Sequence, residues 1–119
     1  MRKLVPLVWL LSVSVCGAAE QTWTGTITDS MCAKSHTANI EHALESAGRR
    51  MTEHECTVGC VARRGQKYVF VSNGKTYQIE NQQAPELETH AAEEVRLSGT
   101  LKGKDTIVVS KVSAVANHR

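Results

Sequence analysis

Between Thr22 and Ser30 the chain alternates, with Trp23, Gly25 and Ile27 on one side and Thr22, Thr24, Thr26 and Thr28 on the other. A period of two rich in β-branched residues predicts a strand. The period then changes. In ANIEHALESAG, Ile40, Ala43, Leu44 and Ala47 fall at i, i+3, i+4 and i+7, the apolar stripe of a short helix, and Gly48 is placed to cap its end. TEHECTVGCVARRG predicts a second short helix. Thr52 and Glu55 form a capping box, Arg63 and Arg64 complement the helix dipole in the last turn, and Gly65 ends it. Gly59 inside this helix costs about 1 kcal/mol relative to alanine, and it leaves room beside the two cysteines.

From Lys67 onward the pattern is β. KYVFVSNGKTYQIE predicts a hairpin, Tyr68–Val71 and Thr76–Ile79 joined at Asn73-Gly74. Pro85 is suited to start a short helix running through Leu87 to Ala92. Val95, Leu97, Gly99 and Leu101 then alternate with Arg96, Ser98, Thr100 and Lys102, a half-buried strand. After a turn at Gly103–Asp105 the last strand runs from Ile107 to Val115, with a bulge because Val109 and Val112 are out of phase. The order is strand, helical insert, hairpin, short helix, hairpin. It predicts a mainly β (α+β) fold: a small five-stranded OB-like barrel, or an open antiparallel sheet, with a helical insert at about 31–65 after strand 1.

The first 19 residues are not counted as fold. Arg2 and Lys3 precede an apolar run, Leu4 to Val15, that is short for a bilayer span, and Gly17, Ala18 and Ala19 supply the small residues of a cleavage site. Cys16 raises a lipoprotein alternative, but Val15 stands where a small residue is wanted before a lipidated cysteine. Residues 1–19 are therefore read as a signal peptide and 20–119 as one exported domain, periplasmic or secreted. Removing the leader takes two positive charges with it and leaves 12 basic against 12 acidic residues. That balance gives no basic patch for nucleic acid. The mature part has no further apolar run of spanning length, which leaves no membrane partner after cleavage.

Cleavage also leaves three cysteines, Cys32, Cys56 and Cys60, an odd number for an exported chain. On a helix, Cys56 and Cys60 share a face with Cβ atoms roughly 5–6 Å apart, too wide for an unstrained disulfide. A metal bridges such a pair readily, each sulfur about 2.3 Å from a shared zinc. Cys32 and His36 repeat the one-turn spacing. Two facing pairs supply a Cys3His set from Cys32, His36, Cys56 and Cys60, with nothing left over. Zinc is the first choice of metal and copper the second, because Met31 and Met51 lie nearby. The competing reading is a disulfide from Cys32 to Cys56 or Cys60, stapling the insert and adding on the order of 2–4 kcal/mol. A third is a thiol–disulfide or redox-sensing protein in which Cys56 and Cys60 cycle and Cys32 resolves.

The remaining candidates carry less. His42 and His54 flank the site as alternative ligands or solvated residues, and Met31 and Met51 are expected to pack. Asp29 is either a hydrogen-bond partner for a ligand histidine or a turn residue. His90 and His118 have no companions. Trp23, Tyr68, Phe70 and Tyr77 are read as core rather than as a stacking surface for nucleic acid. There is no C-x-x-C, no haem-attachment motif, no G-x-S-x-G and no phosphate loop, and no pair of carboxylates stands out. The expectation is a protein that is not an enzyme.

The runs GTITDSMCAKSH, HECTVGCVARRGQKYVFV and VRLSGTLKGKDTIVVSKV resemble a group of small exported bacterial proteins of unknown function. Their pattern is G-x-I-x-D-x-x-C-x3-H, C-x3-C-V, G-x-K-Y-V and a closing hairpin. The resemblance spans nearly the whole mature chain and includes Asp29, Cys32, His36, Cys56 and Cys60. It implies that the cysteines and histidine act as a unit, and it brings no activity. Ala33 departs from it, standing where glycine is expected after Cys32.

Overall fold

A computed structural model describes residues 19–115. The expected leader, with Cys16, lies outside these residues except for Ala19, as does His118. The elements run β1 (Gln21–Asp29), α1 (Thr37–Ala47), α2 (Glu53–Arg64), β2 (Tyr68–Ser72), β3 (Lys75–Ile79), α3 (Pro85–Thr89), β4 (Glu94–Lys102) and β5 (Thr106–Ala114). The five strands close into a barrel in the order β1-β2-β3-β5-β4. The barrel alternative is thus the one observed. The open antiparallel sheet is not, because the ring is closed and β3 runs parallel to β5.

β1 belongs to two ladders. Its first part, Gln21 to Thr26, pairs with β4, and Thr26 to Asp29 pairs with β2. The change of partner needs a sharply curved strand, and Gly25 sits at the bend. A Cβ there would collide with the Val71 carbonyl oxygen and come within 2.8 Å of the Phe70 ring. The β2–β3 turn has Asn73 at φ 50° and Gly74 at φ 76°, as a tight hairpin of this twist requires. In β5 the expected bulge is present. Gly99 pairs with Val109 and Ser98 with Lys111, which leaves Ser110 as the extra residue and brings Val109 and Val112 to the same interior.

The interior is filled by Ile27, Phe70, Leu87, Val95, Leu97 and Ile107, all fully buried, with Tyr68, Ile79, Ala91, Val109 and Val112 around them. Each large apolar side chain so placed contributes roughly 1.5–3 kcal/mol. α3 begins at Pro85 and delivers Leu87 to this core. The parallel seam between β3 and β5 is short, Gln78 with Thr106 and Ile79 with Ile107. It is extended by the side chain of Asn81, whose Nδ2 donates to the Val109 carbonyl and whose Oδ1 accepts from Val109 N–H, both at 2.8 Å.

The insert between β1 and β2 carries the helices. α2 begins at Thr52, whose hydroxyl accepts from Glu55 N–H at 3.1 Å, and ends at Gly65 in the left-handed conformation. One face presents Val58 and Val61 to the barrel core. Another holds Cys56 and Cys60 in a separate buried cluster with Cys32, against which Ile40 and Met51 pack. α1 departs from expectation, because its apolar stripe is not buried: Ile40 and Ala43 are half-buried, Leu44 is 44% exposed and Ala47 is exposed. A cleft of about 220 Å³ lies between the two helices, with Ala43 and Ala47 of that stripe in its wall.

Candidate metal centre

Asp29 closes β1, and its carboxylate sets the next turn. Oδ2 accepts from Met31 N–H at 3.0 Å and from Cys32 N–H at 2.9 Å. An aspartate that binds the backbone two and three residues on holds the chain in a turn and competes with helix. Cys32 is therefore in a bend, and the one-turn helical relation expected between Cys32 and His36 is not formed. The turn places the Cys32 sulfur against α2, where Cys56 and Cys60 lie one turn apart on the same face.

The three sulfur atoms all lie within 4.8 Å of one another, and Cys32 Sγ is 4.0 Å from Cys56 Sγ. All three side chains are buried, none more than 4% exposed. A disulfide requires about 2.05 Å, and all three thiols are free. Tetrahedral zinc with zinc–sulfur bonds of about 2.3 Å requires sulfurs about 3.8 Å apart, close to the observed separation. Asn39 on α1 donates from Nδ2 to Cys32 Sγ at 2.9 Å. Nothing in the spacing of the sequence marks Asn39 for this role.

His36 stands at the start of α1 and is 9% exposed. It is grouped with Asp29 and Cys32, whose donor atoms and its own lie within 4.8 Å of one another. The four expected ligands are thus distributed over two groups that have Cys32 in common. His36 Nε2 lies 3.2 Å from the Thr28 hydroxyl, while Nδ1 is buried and without a partner. Asp29 Oδ1 is likewise buried and without one. Thr28 was legible only as a polar position of β1, and its contact with the imidazole depends on the return of the chain after the turn.

Electrostatics bear on the thiols. Burial pushes the Cys56 thiol up to about 12, and the neighbouring Cys32, Cys60 and Asp29 add to it. Burial, followed by the charge of Asp29, also raises Cys60. Each negative charge formed here opposes the next, and a bound cation reverses that sign by favouring the thiolates.

His54 Nδ1 is 2.9 Å from the Ala91 carbonyl, tying α2 to the segment after α3, and His90 pairs with Glu93. His42 lines the cleft between the helices. Met51 packs against the thiols as expected, whereas Met31 is 50% exposed and its sulfur meets Asn39 Nδ2 at 3.5 Å. Phe70 and Tyr68 are core, with Trp23 and Tyr77 packed at its margin. Among the described residues no helix is long and apolar enough to cross a membrane. Comparison of the chain with family models, curated proteins and solved structures finds no match.

Proposed function

We propose that the protein is an exported, non-enzymatic domain that holds a thiophilic metal ion at Cys32, Cys56 and Cys60, as a structural or metal-sequestering site. One observation carries the reading: three free thiols from two distant segments converge within 4.8 Å in a buried cluster. Buried thiols pack as small apolar groups without a cation, and with a thiophilic one the same three sulfurs are a ligand set. Zinc suits three thiolates and a further donor, and His36 is grouped with Cys32 but not with Cys56 and Cys60. Copper(I) is the second choice, supported by Met51 against the thiols. The resemblance to small exported bacterial proteins fits the same reading, since the residues it includes are those of the two groups.

A redox role fits the site less well. Exchange needs an accessible thiolate of lowered pKa, whereas burial raises both Cys56 and Cys60. The test is metal content together with free-thiol count on mature protein taken from its native compartment without chelator. At least one metal ion per chain, with three thiols appearing only after its removal, is expected. No metal, one free thiol and a mass short by two hydrogens would sink the reading and leave a disulfide-stapled module.

A further inference from the structure

Resting on that reading, the structure also assigns a role to the residues that a three-sulfur site leaves unused. We propose that Asp29, Cys32 and His36 form a second metal position, so that Cys32 bridges two ions, one held with Cys56 and Cys60 and one held with Asp29 and His36.

Two independent observations lead here. The first is placement: the donor atoms of Asp29, Cys32 and His36 are as closely grouped as the three sulfurs, and the two groups meet at Cys32. A single tetrahedral ion needs all four of its ligand atoms mutually close. The second is the state of the side chains. Asp29 is fully buried and His36 is 9% exposed, yet Asp29 Oδ1 and His36 Nδ1 have no hydrogen-bond partner. Buried polar atoms are nearly always satisfied, and leaving one bare costs roughly 1–3 kcal/mol. Here two such bare atoms belong to the two residues grouped with Cys32.

The surroundings orient both for this task. Asp29 spends Oδ2 on the backbone of Met31 and Cys32, which fixes the carboxylate and leaves Oδ1 free. His36 Nε2 lies 3.2 Å from the Thr28 hydroxyl, and the tautomer protonated at Nε2 donates there and leaves Nδ1 as the bare nitrogen. A ligand histidine held by its other nitrogen is the usual arrangement around a metal. A solvent-open cavity of about 310 Å³ lined by Thr28, Cys32, Lys34, His36 and Glu53 reaches this side of Cys32. The cleft between α1 and α2 reaches Cys56 and Cys60 separately. Charge also balances: two divalent ions neutralise three thiolates and one carboxylate, whereas one ion leaves this buried site doubly negative.

The experiment is zinc and cobalt(II) titration of the mature chain without a histidine tag, reading metal per chain, thiol protection and the thiolate-to-cobalt absorption band. Wild type is expected to bind two ions. His36→Gln and Asp29→Asn are each expected to bind one, with all three thiols still protected and the band retained. The asparagine can still accept from the backbone of Met31 and Cys32, so its turn is kept, and circular dichroism checks that both variants fold. One ion in wild type overturns the proposal. If that ion survives in both variants, the three-sulfur site stands alone; if His36→Gln loses it, the site is a single Cys3His sphere. Two ions in wild type with any count but one in the variants also overturns it. No ion in wild type overturns the metal reading itself.

Discussion

Cys32 Sγ lies 4.0 Å from Cys56 Sγ, although 24 positions separate them in the chain. One sulfur is held by the turn that ends β1 and the other by the first turns of α2, so any atom bonded to both ties the insert to the barrel. α1 adds little to that tie, since none of its residues is buried. The insert therefore depends on its sulfur cluster and on the α2 face bearing Val58 and Val61.

Zinc is accordingly expected to stabilise the protein against heat. A ligand present at a hundred times its dissociation constant adds about 2.7 kcal/mol, which for a domain near this size raises the melting temperature by roughly 10 °C or more. Cys56→Ser is expected to remove the part of the zinc-dependent increment that the three-sulfur site supplies. Melting curves with zinc and with chelator check this, and an equal shift in the serine variant would place the ion elsewhere.

The metal-free protein is expected to weaken in alkali. Burial raises the folded pKa of Cys56 from 9.0 to about 12, and Cys60 moves the same way. A folded pKa above the unfolded one means that the native state keeps its proton longer. Its contribution is full below about pH 9 and is lost as pH rises toward 12, by at most about 1.4 kcal/mol per pH unit for each thiol. With zinc bound the dependence runs the other way at the acid end, because protons compete for the sulfurs and release the ion. Urea denaturation from pH 8 to 11 with chelator measures the first effect, and Cys56→Ser should flatten the curve.

Three glycines separate close approach from helix propensity. At Gly99 an added Cβ would collide with the Val108 carbonyl oxygen and lie 2.8 Å from Ile107 Cγ2, and Gly25 is similarly enclosed by Val71 and Phe70. Alanine at either position is expected to cost roughly 2–4 kcal/mol, since backbone atoms cannot yield as a side chain does. At Gly59 the same Cβ meets only the flexible guanidinium of Arg63. Gly59→Ala should be neutral or stabilising by up to about 1 kcal/mol. Denaturation midpoints at constant m-value rank the three.

Local chemistry made much of this legible. Asn73-Gly74, the Thr52–Glu55 cap and the phase slip between Val109 and Val112 each act over a few residues, and each produced the expected turn, helix start and bulge. What was not legible depends on distant partners. The stripe of α1 reads as buried, whereas its Ala43 and Ala47 line an open cleft toward α2. Cys32 and His36 read as one helical turn until Asp29 captures the backbone of Met31 and Cys32. The odd cysteine count and the one-turn spacing of Cys56 and Cys60 pointed to a site shared with Cys32, with a disulfide as the competing reading, but the grouping of His36 with Asp29 needed the turn.

Barrel closure supplies the last prediction. Only two residue pairs join β3 to β5, and the Asn81 side chain takes over where the ladder stops, satisfying both the N–H and the carbonyl of Val109. Val109 is 8% exposed, so its backbone has little water to turn to. Asn81→Ala leaves both groups unsatisfied and is expected to cost about 2–6 kcal/mol, at 1–3 kcal/mol for each buried group. Asn81→Asp keeps the acceptor for Val109 N–H but sets an oxygen against its carbonyl, and it should lie at least as low. Native-state hydrogen exchange should show protection at Val109 falling first in the alanine variant, ahead of the β1–β4 ladder. Zinc content should be unchanged, since Asn81 touches none of the sulfur cluster. A stability change under 0.5 kcal/mol would mean that the seam is held by Gln78 N–H and Glu80 N–H alone, which donate to the Asp105 and Ile107 carbonyls.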